Sequence, residues 1–224
     1  MGLSLELAGI CKRYNGHEIL QDCSWVFEEG LTYALMGLNG TGKSTLLRIC
    51  ALLEPPDQGR INYLADKKPL APDLALKRRL TLLLPGVGVF NTSVFNNVAY
   101  GLKIRGVKRR EIERRVMAIL EVVGLAHKRR QRALDLSTGQ AKRLGLARAM
   151  VLEPEVILLD EPTASIDQEN TEIIEAIIRK MKAEGKATII LVTHDPAQAA
   201  RLGDRVLLME DGKIVPSQNL ETNI

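Results

Sequence analysis

Gly37-Leu38-Asn39-Gly40-Thr41-Gly42-Lys43-Ser44 follows the apolar run Leu31–Met36 and leads into Leu46–Ile49. The order is strand, glycine-rich turn and helix, the context in which the pattern G-x-x-x-x-G-K-S is typical of a phosphate-binding loop. Glycine lets the backbone curve around an anion without a Cβ clash, so successive N–H groups can point at phosphate oxygens. A tight glycine turn without a ligand is the alternative, and the flanking pattern favours the phosphate loop.

The end of this loop predicts how the phosphates are held. A helix that begins near Lys43 adds its positive end, and Lys43 would neutralise the β- and γ-phosphates. Ser44 would offer its hydroxyl to Mg²⁺. The residues expected to contact the nucleotide here are Gly37, Leu38, Asn39, Gly40, Thr41, Gly42, Lys43, Ser44 and Thr45.

Length and composition are those of an ordinary globular protein. The 224 residues suffice for one substantial core, and 46% are hydrophobic against 26% charged. The apolar runs are too short to cross a bilayer, and the first residues do not have the pattern of a secretory signal. Three cysteines without C-x-x-C spacing predict reduced, packed thiols in a cytosolic protein.

Positive charge is concentrated in one part of the chain. Between Gly101 and Arg132 there are eleven Lys and Arg residues against three Glu residues, whereas the whole chain has a net charge of +4. This segment could be the solvated face of surface helices, or a surface near anionic lipid headgroups or an acidic partner. Nucleic acid is not expected as a partner, because the segment has few aromatic residues on which bases could stack.

Strand and helix patterns alternate along the chain and predict an α/β fold. The expected strands are Gly59–Leu64, Leu80–Leu84, Val156–Leu159, Thr188–Val192, Val206–Met209 and Lys213–Val215, after an N-terminal β region. The expected helices lie within 91–123 and at Ala141–Val151 and Thr171–Met181. We predict a mainly parallel core sheet with an N-terminal antiparallel β subdomain and an inserted helical subdomain.

Residues Val156–Pro162 predict a second part of the phosphate site. An unbroken apolar run there ends in Asp160 and Glu161, and ligands gather at the carboxyl ends of buried parallel strands. Asp160 is placed to hold Mg²⁺, and Glu161 is placed to polarise a water molecule for attack on the γ-phosphate. The alternative is that both acids are charges of a surface loop.

Two further segments carry polar groups at the ends of regular elements. Ser137 and Gly139 of Leu136–Gln140 precede a helical run, where a serine is first a helix N-cap and also part of an anion-binding surface. His194 follows the apolar strand Thr188–Val192 and could donate a hydrogen bond to a γ-phosphate, or it could be a capped loop histidine.

Over residues 3 to 215, the chain resembles the nucleotide-binding subunit of an ABC transporter. The motifs that carry the resemblance are, in order, GLNGTGKST, LSTGQ, ILLDEP, ASID and VTHD. The resemblance implies a P-loop ABC ATPase that binds ATP with Mg²⁺ and buries two ATP molecules between two copies. Ser137, Gly139 and Gln140 would cover the ATP of the other copy, and Ser165–Asp167 would communicate between copies. His194 would be the switch histidine, and Tyr14 would stack on adenine unless it is an exposed turn tyrosine.

The same resemblance implies the organisation and the partners. The chain would be one ABC ATPase domain, with a core at 1–90 and 152–216, a helical subdomain at 91–151 and a polar, fraying tail at 217–224. In its ATP-bound state it would form a homodimer or pair with another ABC subunit. It would lie on the cytoplasmic face of the membrane, attached through integral permease subunits. An extracytoplasmic substrate-binding protein and import of a small ion such as tungstate, molybdate or phosphate are implied as well.

Two positions depart from the family pattern. Pro85 stands where the family has a glutamine that senses Mg²⁺ or the attacking water, and no glutamine occurs between Gln58 and Gln131. Thr138 replaces the first glycine of LSGGQ-type sequences. We therefore expect slow or partner-dependent turnover. Two rivals are a soluble ABC-type ATPase that acts on DNA, ribosomes or iron–sulfur assembly, and a regulatory module that uses ATP as a dimer switch.

Overall fold

A computed structural model describes residues 2–217, which form two compact units. The sheet unit comprises residues 2–82, 155–161 and 181–217, and the helical unit comprises residues 83–154 and 162–180. The expected subdomain limits at 91–151 stay a prediction. Most of the expected tail lies outside the described residues.

The sheet unit begins with an antiparallel sheet of four strands in the order β2-β1-β4-β5. Its strands are β1 (Ser4–Tyr14), β2 (His17–Phe27), β4 (Gln58–Ala65) and β5 (Lys68–Pro69). Asn15 and Gly16 join β1 to β2, and both have positive φ (50° and 82°), the conformation that a two-residue hairpin turn of this hand requires.

A second sheet has six strands in the order β10-β9-β3-β8-β7-β6. Its strands are β3 (Thr32–Met36), β6 (Leu80–Leu83), β7 (Val156–Asp160), β8 (Thr188–Val192), β9 (Arg205–Glu210) and β10 (Lys213–Pro216). β3, β7, β8 and β9 pair in parallel, and β10 pairs antiparallel with β9. Every residue of β7 and β8 is buried, as the unbroken apolar runs predict.

Three helices lie wholly in the sheet unit. They are α1 (Lys43–Cys50), the short α2 (Leu74–Lys77) and α7 (Pro196–Leu202). α1 follows β3 directly through the glycine loop, so the strand–turn–helix order predicted from the sequence is confirmed.

The helical unit contains α3 (Val94–Ile104), α4 (Arg109–Val122) and α5 (Thr138–Met150), and α6 (Gln168–Glu184) begins in it. The limits of α5 and α6 differ from the prediction at both ends, and α5 ends at Met150 rather than Val151 while α6 ends at Glu184 rather than Met181. α5 begins three residues before Ala141, because Ser137 caps it. α6 begins at Gln168 rather than Thr171, because the Asp167 carboxylate accepts a hydrogen bond from the Asn170 amide at 2.8 Å.

Within residues 2–217, no helix has the length and apolar character that spanning a bilayer would require.

The buried hydroxyl of Thr188 links the two sheets of the sheet unit. It donates to the carbonyl of Leu3, just before β1, at 2.7 Å and accepts from the amide of Gly30 at 3.0 Å. Leu3 and Thr188 are fully buried, so the Leu3 carbonyl could not turn to water if the hydroxyl were removed.

We expect Thr188→Val to lower the free energy of unfolding by about 1–3 kcal/mol, because the buried Leu3 carbonyl loses its partner while the shape is kept. Thr188→Ser keeps the hydroxyl, loses one methyl group and should cost about 1 kcal/mol. Urea denaturation of the three proteins measures both changes. Equal losses for the two variants would show that the hydrogen bonds contribute no more than the methyl contact.

Candidate functional site

The glycine loop after β3 has a backbone that only glycine fits. Gly37 has φ 145°, and a Cβ there would lie 2.6 Å from the carbonyl oxygen of Met209. Gly42 has φ 100° and immediately precedes α1, and its Cβ would lie 2.9 Å from the carbonyl oxygen of Ile19. No side chain caps the first turn of α1, so its amides are of the kind that bind anions.

Lys43 is held inside this loop. Its side chain is buried, and Nζ donates to the carbonyl oxygens of Gly37 at 2.8 Å and Leu38 at 2.7 Å. Burial lowers the pKa of Lys43, and the charges of Glu161 and Asp160 act in the opposite direction. The loop therefore contains a cation whose charge is poorly hydrated and which can attract phosphate.

Asp160 ends β7 and is 2% exposed. Burial raises the pKa of its carboxyl group, while a hydrogen bond from the Ser44 hydroxyl lowers it. The two oxygen donors predicted for Mg²⁺ are thus in contact with each other, although they are distant in sequence.

Glu161 and His194 follow β7 and β8 at the same edge of the sheet. His194 Nδ1 lies 3.7 Å from Glu161 Oε1, which is too long for a hydrogen bond. The Glu161 amide donates to the Val192 carbonyl at 3.1 Å, and its backbone is left-handed with φ 47°. Ser165, four residues on, is also left-handed with φ 60°. Left-handed non-glycine residues occur often at functional sites.

Two cavities adjoin the glycine loop, and Asn39 and Glu161 line both. One, of about 810 Å³, is also lined by residues that include His194 and Gly37. The other, of about 290 Å³, is lined by Tyr14, Ile19, Asn39, Gly40, Gly42, Lys43, Ser44, Thr45 and Glu161. The structure therefore brings together the glycine loop, the predicted catalytic side chains and Tyr14.

Polar groups that the sequence did not reveal hold Tyr14 in this cavity. Its hydroxyl donates to Glu54, which also accepts from Arg48 Nε at 3.2 Å. Lys12 Nζ lies 5.6 Å from the centre of the Tyr14 ring and 3.2 Å from Glu54. The hydrogen bond from Tyr14 is the main cause of a lowered pKa of Glu54. Tyr14 is 36% exposed beside the hairpin turn, and these contacts hold its ring; stacking of the ring on adenine stays a prediction.

The remaining predicted site residues belong to the helical unit, at the start of α5. Ser137 Oγ accepts from the Gln140 amide at 3.3 Å, and Gln140 Oε1 accepts from the Ser137 amide at 3.2 Å. This reciprocal pair is a capping box, so the interpretation of Ser137 as an N-cap is confirmed. Ser137 is exposed and Gly139 is buried. Contact of this segment with a phosphate stays a prediction.

The loop that carries Pro85 is fixed at its far end. Arg148 Nη1 donates to the Gly88 carbonyl at 2.5 Å and its guanidinium carbon lies 4.7 Å from the Phe90 ring centre. The Asn97 side chain accepts from the Phe90 amide at 2.8 Å. Pro85 itself is exposed, and its side chain has no polar atom that could bind a metal or water.

A family model described as ABC transporter matches residues 20–164. The tungstate uptake system ATP-binding protein TupC of Peptoclostridium acidaminophilum is 35% identical over 212 residues, covering 95% of this chain and 97% of that protein. The methionine import ATP-binding protein MetN 1 of Listeria monocytogenes is 38% identical over 221 residues, covering 94% of this chain and 65% of that protein.

Among solved structures, cbiO1 from Clostridium perfringens, described as part of the ABC transporter complex cbiONQ, is 30% identical with a TM-score of 0.84. The match covers 96% of this chain and 88% of that one. The predicted P-loop α/β fold is confirmed. By family model, by relatives and by fold, the chain belongs to the ABC transporter family, as an ATP-binding subunit with ATPase activity.

Proposed function

We propose that this subunit binds and hydrolyses MgATP between two copies of itself, or in a pair with another ABC subunit, and so powers import through a separate membrane permease. The observation that carries the proposal is the arrangement at one edge of the six-stranded sheet. Lys43 and Glu161 line one cavity with the glycine loop, and His194 lies 3.7 Å from Glu161.

The glycine loop would hold the triphosphate of ATP. The amides of Gly37–Ser44 and the first turn of α1 supply donors, and the buried ammonium group of Lys43 supplies charge. Lys43 would exchange its two carbonyl partners for phosphate oxygens. Tyr14 lines the same cavity and would stack on the adenine, with its ring held by Glu54.

Mg²⁺ fits the donors that lie beside the loop. Within the described residues, no cluster of three or more His, Cys, Asp and Glu side chains could hold a metal by itself. Mg²⁺ commonly uses one or two protein oxygens together with nucleotide phosphates, and the Ser44 hydroxyl and Asp160 carboxylate form such a pair. When bound, the ion would neutralise charge on the phosphate oxygens.

The chain's own residues would then perform hydrolysis. Glu161 would accept a proton from the attacking water, whose oxygen forms the new bond to the γ-phosphorus as the bond to ADP breaks. His194 would donate a hydrogen bond to a γ-phosphate oxygen. Both groups follow parallel strands, so the sheet fixes their positions.

Ser137, Gly139 and Gln140 would complete the site of the other copy. Ser137 is exposed at the amino end of α5, where the helix dipole favours an anion. Two ATP molecules would thus be enclosed in a sandwich, each held by the glycine loop of one copy and covered by the α5 start of its partner.

A cavity in the helical unit would receive a cytoplasmic helix of the permease. Its volume is about 820 Å³, and its lining includes the apolar Phe95, Val107 and Ile112 and the basic Lys103 and Arg109. The subunit would therefore lie at the cytoplasmic face of the membrane, bound through integral permease subunits and without contact to nucleic acid.

The cargo would be a small ion or solute, delivered by an extracytoplasmic substrate-binding protein. Relatives named for tungstate uptake and phosphate import are each 35% identical to this chain, and one named for methionine import is 38% identical. Because the three identities are nearly equal, they support import of a small solute and do not distinguish which solute it is.

Pro85 favours a second candidate function, an ATP-dependent dimer switch outside transport with little turnover. A side chain without a donor or acceptor in the Leu84–Gly88 loop removes one group that could sense the metal or the attacking water. The two candidates differ in whether ATP is consumed when a permease is present.

Glu161→Gln should reduce the ATPase rate by about 100-fold or more, because the amide cannot accept the proton of the attacking water. The variant should still bind ATP and form an ATP-dependent dimer, which size-exclusion chromatography would show. Lys43→Ala is the matched control, and it should lose ATP affinity and dimerisation together. Equal ATPase rates in the wild type and Glu161→Gln would remove Glu161 from the proposed role.

Tyr14→Ala should weaken ATP binding by about 5- to 150-fold, the equivalent of about 1–3 kcal/mol for one stacked base. Tyr14→Phe keeps the ring and should retain most of the affinity. Inorganic tripolyphosphate has no base, so its affinity should be the same in all three proteins. Isothermal titration measures these values, and an unchanged ATP affinity in Tyr14→Ala would contradict stacking.

The purified subunit should hydrolyse ATP slowly by itself, because Pro85 cannot help to orient the metal or the water. Reconstitution with its permease should raise the rate by about tenfold or more. A fast rate for the subunit alone would contradict this expectation, and an unchanged slow rate with the permease would favour the dimer switch.

A further inference from the structure

Asn170 is a buried polar residue in the first turn of α6. Only 8% of it is exposed, and it lies three residues beyond the Ser165–Asp167 loop. Both this residue and the start of α5 belong to the helical unit. None of the motifs in the sequence includes Asn170.

The Asn170 side chain occupies the place where a side chain of residue 139 would lie. A Cβ on Gly139 would be 2.3 Å from Asn170 Cγ, 2.5 Å from Nδ2 and 2.7 Å from Oδ1. Such distances are impossible between non-bonded atoms, so the carboxamide packs directly on the backbone of the first turn of α5. Gly139 does not have positive φ, so its lack of a side chain serves this contact rather than backbone freedom.

Asp167 holds the other side of the carboxamide. Asn170 Nδ2 donates to both carboxylate oxygens of Asp167 at 2.8 Å, and the Asn170 amide donates to Oδ1 at 2.8 Å. These hydrogen bonds lower the pKa of Asp167, and the one from the Asn170 backbone amide has the largest effect. The carboxylate is exposed and charged at neutral pH, so a change of its position is transmitted to Asn170.

Asn170 Oδ1 makes no hydrogen bond within residues 2–217, although it is buried. Buried polar atoms in folded proteins nearly always have a hydrogen-bond partner, so an unsatisfied Oδ1 at this position calls for an explanation. A buried carboxamide with an unsatisfied oxygen, between two segments expected to face a nucleotide, indicates a role other than stability.

We propose that Asn170 is a positioning residue that fastens the Ser165–Asp167 loop to the first turn of α5. The loop and the Ser137–Gln140 segment then approach the nucleotide of the partner copy as one body. The inference rests on the proposed ATP sandwich. Asn170 touches no substrate in this scheme, and it acts through Asp167 and Gly139.

The hydrogen bonds are tested with an isosteric variant. Asn170→Asp keeps the shape but places a carboxylate against Asp167. In the Glu161→Gln background, it should weaken ATP-dependent dimerisation at least tenfold, as measured by analytical ultracentrifugation. The double variant Asp167→Asn with Asn170→Asp restores one amide and one carboxylate at this contact, and it should recover most of the dimer affinity.

The packing is tested with a pair of truncations. Gly139→Ala should abolish the dimer, because its methyl group displaces the Asn170 carboxamide. Adding Asn170→Ala removes the obstructing atoms, so the double variant should dimerise more tightly than Gly139→Ala alone. A gain of affinity from a second truncation is not expected if Gly139 only contacts phosphate.

Two controls separate the possible failures. ATP affinity of the glycine loop, measured on monomers, should change little in the Asn170 variants, because the nucleotide cavity of the sheet unit is untouched. If Glu161→Gln itself forms no ATP-dependent dimer, the sandwich fails. If that dimer forms and its affinity is unchanged when Asn170→Asp or Asn170→Ala is added, the sandwich stands and the role of Asn170 is overturned.

Discussion

The steric constraint on the glycine loop governs everything else in the site. With no room for a Cβ at Gly37 or Gly42, the backbone between β3 and α1 has essentially one path. That path brings the Lys43 side chain back to the carbonyls of Gly37 and Leu38 and leaves the α1 amides without a side-chain cap. The order of the parallel strands then places Asp160, Glu161 and His194 beside the loop. The loop itself imposes no further constraint on these three residues.

Much of this site could be predicted because its parts depend on local patterns. An apolar run that ends in two acids places them at a strand end, and parallel pairing of β3, β8 and β7 places the strand ends together. The helix limits were less accurate. Caps at Ser137 and Asp167 extend α5 and α6 by three residues each beyond the apolar periodicity, since a cap needs only side-chain oxygens and no apolar face.

Contacts between distant segments could not be predicted in this way. Glu54 lies four residues beyond the end of α1, yet in the structure it accepts a hydrogen bond from Tyr14, forty positions away. Asn170 meets Gly139, and Thr188 meets Leu3, through single side chains that leave no periodic signal. Such contacts depend on tertiary packing, in which one polar atom satisfies one partner. Neither secondary-structure propensity nor the spacing of residues in the sequence encodes them.

The left-handed backbone at Glu161 limits which residue types this position can accommodate. The role proposed for Glu161 requires a carboxylate, while its φ of 47° disfavours every β-branched residue and favours glycine, asparagine and aspartate. Glycine would relieve the torsional cost but remove the proposed proton acceptor, and aspartate would adopt the conformation more readily but reach one methylene less far. Only a narrow set of residues can meet both demands, so mutational tolerance at this position is set by the main chain as much as by the reaction.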